Sequence, residues 1–112
     1  MSTKLSADAT TLPLSYWALN YRHAAFYRDG TRFEDYAPAI YLGITAQIEN
    51  PGLVFDDVVP ELEARYQQIC SGSTLSWSQA ACAAEAAWTR ARMISGAARA
   101  AFESELARRR AA

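Results

Sequence analysis

The chain is poor in the residues that most often carry chemistry. Among 112 residues it has one histidine, His23, and two cysteines, Cys70 and Cys82. A metal site needs several nitrogen, sulfur or carboxylate ligands brought together, and these three side chains on separate segments show no ligand spacing. Two cysteines make no disulfide framework. They flank the Ser71–Leu75 connection, where a bridge between helix ends is conceivable, and two reduced apolar side chains are the preferred reading. No glycine-rich phosphate loop is present, and Asp29-Gly30 is too little to form one. No apolar run approaches the roughly 20 residues of a membrane span. Met1 to Thr11 are polar, with one Lys and no apolar core of a secretory signal. The net charge of −1 gives no overall field to draw nucleic acid or an anionic membrane. The expectation is a one-domain cytoplasmic protein without cofactor, metal or membrane, disordered over residues 1–12.

What the chain does have is a repeated way of starting a helix. Phe33-Glu34-Asp35-Tyr36-Ala37-Pro38-Ala39-Ile40 returns, altered, as Phe55-Asp56-Asp57-Val58-Val59-Pro60-Glu61-Leu62. Asp35 and Asp57 read as N-caps that accept from free first-turn N–H groups. Pro38 and Pro60 then fall in the first turn, where a missing N–H breaks no helical bond. Phe33 and Phe55 precede the cap and fold back as a staple. A third start, Leu75-Ser76-Trp77-Ser78-Gln79, carries the capping box Ser76 and Gln79.

Taken in order, Ser15 caps a first helix whose face is Trp17, Tyr21 and Ala24, and Asp29-Gly30 turns the chain. A second helix is expected over about Tyr36 to Ile48, with Tyr36, Ile40, Ile44 and Ile48 inward. Gly43 beside that stripe costs about 1 kcal/mol relative to Ala, and close approach of another backbone or a ring is the expected return. Asn50-Pro51-Gly52 stops it. A third helix over about Val58 to Cys70 turns Val58 or Val59, Leu62, Tyr66 and Ile69 inward, with Glu61 and Arg65 paired at four residues. Ser71-Gly72-Ser73 ends it. The fourth begins after Ser76 with the stripe Trp77, Ala81, Ala84, Trp88 and Ala91. It stays helix-prone to the end, with one weak point at Ser95-Gly96. Unbroken to Arg108 it would run about 50 Å, beyond the roughly 30 Å of a domain this small. Its end must protrude, fold back at Gly96 or pack on a second copy. No strand pattern is found: Tyr41-Leu42-Gly43-Ile44-Thr45 is the only β-prone run, and the helix start before it argues against a strand. The fold class is all-α: a compact bundle of four helices, or five if Gly96 breaks the last. A domain over 13–93 and a C-terminal extension over 94–112 follow.

Laid out in this order, the motifs resemble a family of small uncharacterised bacterial helical proteins. The residues that carry the likeness are Tyr16-Trp17, Tyr21, Gly30, Phe33-Glu34-Asp35-Tyr36-Ala37-Pro38-Ala39-Ile40 with Gly43, Phe55-Asp56-Asp57-Val58, and Leu75-Ser76-Trp77 through Ala80, Ala83, Ala87 and Trp88. The likeness covers about residues 16–92. The family often has Arg-Pro-Tyr where this chain has Ala24-Ala25-Phe26, Trp where Tyr66 stands and an aromatic where Ile40 stands. These exchanges leave the helical scaffold intact. The resemblance implies no enzymatic activity and does not extend to the Ala/Arg-rich tail.

No catalytic, metal or cofactor residue is assigned. His23 reads as a surface residue at a helix end before it reads as a base, and no Cys/His signature joins it to Cys70 or Cys82. Glu34-Asp35 and Asp56-Asp57 look like acid pairs, but their place before helix starts makes capping their role. Two features carry functional readings. One is an aromatic-lined groove between helices for a small molecule or peptide, with Tyr16, Trp17, Tyr21, Tyr36, Tyr41 and Trp77 as walls and Arg22 or Arg32 as polar anchors. The other is an interaction helix in the tail, with Ile94, Ala98, Phe102 and Leu106 as anchors for a second copy, making a homodimer, or for another protein. Arg90, Arg92, Arg99 and Arg108–Arg110 are interrupted by Glu85, Glu103 and Glu105, which argues against nucleic acid. The leading expectation is a non-catalytic interaction or regulatory module that self-associates through the C-terminal helix; the groove is the alternative.

Overall fold

A computed structural model describes residues 14–70 and 73–111. The expected disordered segment 1–12 and the Ser71-Gly72 stop lie outside the described residues. The described residues form helices joined by short turns, with no strand among them. Helix α1 covers residues 14–20 and passes into a 3₁₀ turn at Tyr21–His23. Helices α2 (Phe33–Glu49), α3 (Phe55–Ile69) and α4 (Trp77–Ala111) follow. Ser15 lies inside α1 rather than capping it. Gly30 takes φ of 90° in the Asp29-Gly30 turn, the left-handed region glycine enters freely.

The repeated starts work three residues earlier than their sequence suggests. Phe33 and Phe55 are the first helical residues, and Arg32 and Val54 are the N-caps. Asp35 stands at the third helical position, and its Oδ2 accepts the Arg32 backbone N–H at 3.0 Å. Asp57 does the same for Val54 at 3.2 Å. These are the acid halves of capping boxes, and a carboxylate there also opposes the positive end of the helix dipole. Pro38 and Pro60 are therefore sixth residues, inside the helices, and each forgoes one helical hydrogen bond. The phenylalanines are not staples ahead of a cap; Phe55 is buried and Phe33 partly so. At the third start, the Ser76 N–H donates to Gln79 Oε1 at 3.3 Å, as the sequence predicts.

Helices α2 and α4 run parallel. Asp35 Oδ1 accepts the Thr74 N–H just ahead of α4, Gly43 meets Ala84, and Gln47 shares a shallow cleft with Arg92 and Ser95. A Cβ at Gly43 would lie 2.2 Å from the Ala84 carbonyl oxygen, so the two backbones touch. Ala39, Ala80, Ala83, Ala84 and Ala87 are fully buried around this contact. Small side chains there let the helices close, while Tyr36, Ile40, Ile44 and Trp88 fill the flanks. Helix α3 returns antiparallel, with Phe55 edge-on to Trp88 and Tyr66 against Trp77. The exposed Glu61–Arg65 pair forms at 3.1 Å.

Three inward faces differ from expectation. Ile48 is 54% exposed and Gln47 takes the buried position. Four-residue steps from Tyr36 rotate about 40° each against the helical period, so Ile48 has turned about 120° off the face. Ile69, in the last turn of α3, lies past the Tyr66–Trp77 contact and is exposed. In α4 the buried set is Ala80, Ala83, Ala84, Ala87 and Trp88, with Trp77, Ala81 and Ala91 only partly covered.

A polar joint ties these helices at one end. The Asp35 backbone carbonyl accepts Ser73 Oγ at 2.7 Å. Ser73 Oγ meets the Tyr66 hydroxyl at 3.1 Å, and that hydroxyl donates to the Leu75 carbonyl at 2.7 Å. The Arg32 N–H holds the Asp35 carboxyl below the usual carboxylate range; burial opposes this and the Thr74 N–H adds to it. Burial pushes the Tyr66 phenol up, and the Ser73 hydrogen bond partly offsets it.

Candidate functional site

The aromatic positions assigned to one groove do not share one. Tyr36 is a core residue whose hydroxyl accepts the Arg28 N–H at 2.9 Å and bonds Thr31 Oγ1 at 2.8 Å. Tyr21, Phe26, Phe33 and Tyr36 stack into a cluster with ring centroids 5.0–6.0 Å apart. Trp17 extends it through Phe26 at 5.6 Å. Trp77 packs instead on Tyr66 of α3, and Tyr41 is exposed. Every buried side-chain polar atom among the described residues has a hydrogen-bond partner.

Two clefts flank α1. One, about 450 Å³, is lined by Tyr16, Trp17, Asn20, His23, Phe26 and Cys82, with small Ala24, Ala25 and Ala86 between them. The Arg90 guanidinium lies 3.5 Å from the centre of the Tyr16 ring beside it. Sequence reasoning missed this cleft because its walls come from both ends of the chain; the four-residue step from Cys82 to Ala86 to Arg90 was its only trace. The second, on the opposite side, holds Tyr21, Arg22, Arg32 and Phe33. The eight expected groove residues are therefore divided between two clefts, the core and the outer surface. His23 and Cys82 share the first cleft, while Cys70 lies apart from it; both cysteines carry free thiols. Among the described residues no group of three or more His, Cys, Asp or Glu could hold a metal ion. None of the described helices is long and apolar enough to cross a membrane.

The tail residues, in contrast, are brought together. Helix α4 continues through Ser95-Gly96 without a break to Ala111. At about 100° per residue, Ile94, Ala98 and Phe102 project from the side of α4 that carries the buried Ala84, Ala87 and Trp88 and meets α2 at Ala84. Helix α2 ends at Glu49, Pro51 just past it shares a cleft with Arg92, Ser95, Gly96 and Arg99, and α4 is exposed over residues 92–104. Ile94 is 45% and Phe102 64% exposed; Ala98 is exposed and Leu106 half-buried. Met93, also exposed, points the opposite way. Arg108 and Arg109 pair with Glu105 on this free segment.

Comparison with protein-family models, with curated proteins and with solved structures gives no match to this chain.

Proposed function

We propose that the protein is a non-catalytic interaction module that self-associates through the distal half of α4. One observation carries this reading. The face that α4 buries against α2 continues past the end of α2 with Ile94, Ala98, Phe102 and Leu106, interleaved with Ser95 and the Glu105–Arg109 pair. A helix segment of this length is marginal in water without packing, and Ser95-Gly96 at its root weakens it further. Burial of Ile94, Phe102 and Leu106 would return roughly 1.5–3 kcal/mol per side chain. A three-turn helix contact covers less than the roughly 1,600 Å² of a standard interface, so association is expected near 10 µM, about −7 kcal/mol.

The test is sedimentation velocity over a concentration series, on the unaltered chain and on Phe102→Ser. Phe102 touches no core residue, so its replacement leaves the bundle intact. Dimer formation by the unaltered chain, with at least a tenfold weaker constant in Phe102→Ser, is expected. Equal association of the two chains would contradict the reading.

A further inference from the structure

Where α2 ends against α4, the two helices leave a cleft of about 260 Å³, walled by Gln47, Pro51, Arg92, Ser95, Gly96 and Arg99. Its α4 residues stand at i, i+3, i+4 and i+7 and so share one face. Gly96 opens the floor, with nothing within 4 Å of a Cβ built there. No acidic side chain lines the cleft. Neither Arg92 nor Arg99 is in an ion pair with a described residue. Two guanidinium groups therefore border one small space that holds no counter-charge.

Gln47 makes this more than a pair of surface arginines. Only 2% of the residue is exposed, yet its side chain bonds no described residue. An amide buried without a partner is costly, and no sealed side-chain polar atom among the described residues lacks one. The Gln47 amide thus opens onto the cleft it lines. There it and the Ser95 hydroxyl add neutral donors to those of the arginines.

The charge selects the ligand. A carboxylate would neutralise only one of the two guanidinium groups. A phosphate monoester carries about −1.5 to −2 at pH 7 on three acceptor oxygens, and the arginine fork takes such oxygens two at a time. The protein's net charge of −1 gives no field to gather a polyanion. We infer that this cleft binds the phosphate group of a small soluble phosphomonoester. Arg92 and Arg99 supply the charge, and the Gln47 amide and Ser95 hydroxyl fix the orientation. None of the four tail anchors lines the cleft, so the site stands apart from self-association.

The test is proton–nitrogen NMR of the full chain at fixed ionic strength, titrated with inorganic phosphate, glycerol 3-phosphate and acetate. Saturable shifts of the Gln47 side-chain amide and the Gly96 backbone amide are expected with both phosphates, with acetate at least tenfold weaker. Arg99→Gln alters an exposed side chain and is expected to weaken glycerol 3-phosphate at least tenfold. Arg110→Gln, exposed and outside the cleft, is expected to leave it unchanged. Equal affinity in the two variants, acetate binding as strong as phosphate, or shifts that never saturate would overturn the inference in favour of general charge screening. Binding to phosphatidic acid vesicles that Arg99→Gln abolishes, with no response to glycerol 3-phosphate, would overturn the soluble ligand.

Discussion

At Gly43 a single hydrogen atom decides how α2 and α4 meet. Alanine is the better helix former by about 1 kcal/mol, yet its methyl carbon would sit 2.2 Å from the Ala84 carbonyl oxygen. That neighbour is backbone and cannot swing aside, so the helices must separate, at roughly 1–3 kcal/mol for overpacking. Gly96 is the opposite case, with nothing within 4 Å of a built Cβ. Gly43→Ala is expected to lower the urea midpoint by the equivalent of up to about 2 kcal/mol net, roughly the overpacking cost less the gain in propensity. Gly96→Ala is expected to raise helical dichroism without lowering that midpoint. A stabilised Gly43→Ala would mean that α2 and α4 do not touch as described. The sequence already pointed to Gly43, because a glycine at mid-helix on an apolar face needs a packing reason. It could not name Ala84, since the alanine-rich first half of α4 offers little contrast between its faces.

Among elements, the joint at the start of α2 shows what local pattern can and cannot supply. The motif marked Asp35 as a helix-start residue, and it is one. The displacement from cap to third position comes from the backbone of Arg32, which the carboxylate reaches back to. The second role, holding the Thr74 N–H beside α4, joins residues 39 apart and leaves no local signature. Because folding lowers the Asp35 pKa, its stabilisation is present above the unfolded value of about 3.9. It is lost as pH falls through the folded value. Asp35→Asn is therefore expected to cost about 1 kcal/mol near neutrality, the usual worth of such a helix-start interaction. The gap in urea midpoint between Asp35→Asn and the unaltered chain should close as pH is lowered from 5 towards 2. A gap independent of pH would show that the carboxylate charge contributes nothing there.

For the molecule as a whole, the dimensions are those of a bundle with a rod projecting from it. The radius of gyration is 16.0 Å, against about 13 Å for a compact domain of this length. The longest extent is 56 Å, close to the roughly 52 Å of a 35-residue helix. Helix number, order and the long last helix were readable from caps, stops and periodicity. The aromatic groove was not, because residue type marks Tyr and Trp without saying which reach the surface; Tyr36 and Tyr21 went to the core. The anchors Ile94, Ala98, Phe102 and Leu106 were readable as a stripe. That they extend the face used against α2 emerged only once the phase of α4 was fixed by Ala84 at Gly43.

The central claim is that this free face is an assembly surface, and solution mass tests it most directly. Light scattering on the unaltered chain, from a few micromolar to several hundred, is predicted to rise from 12.3 kDa towards twice that value. The same series on a chain carrying both Ile94→Ser and Phe102→Ser is predicted to stay at 12.3 kDa with the bundle folded. A mass of 12.3 kDa for the unaltered chain across the whole range would contradict the account.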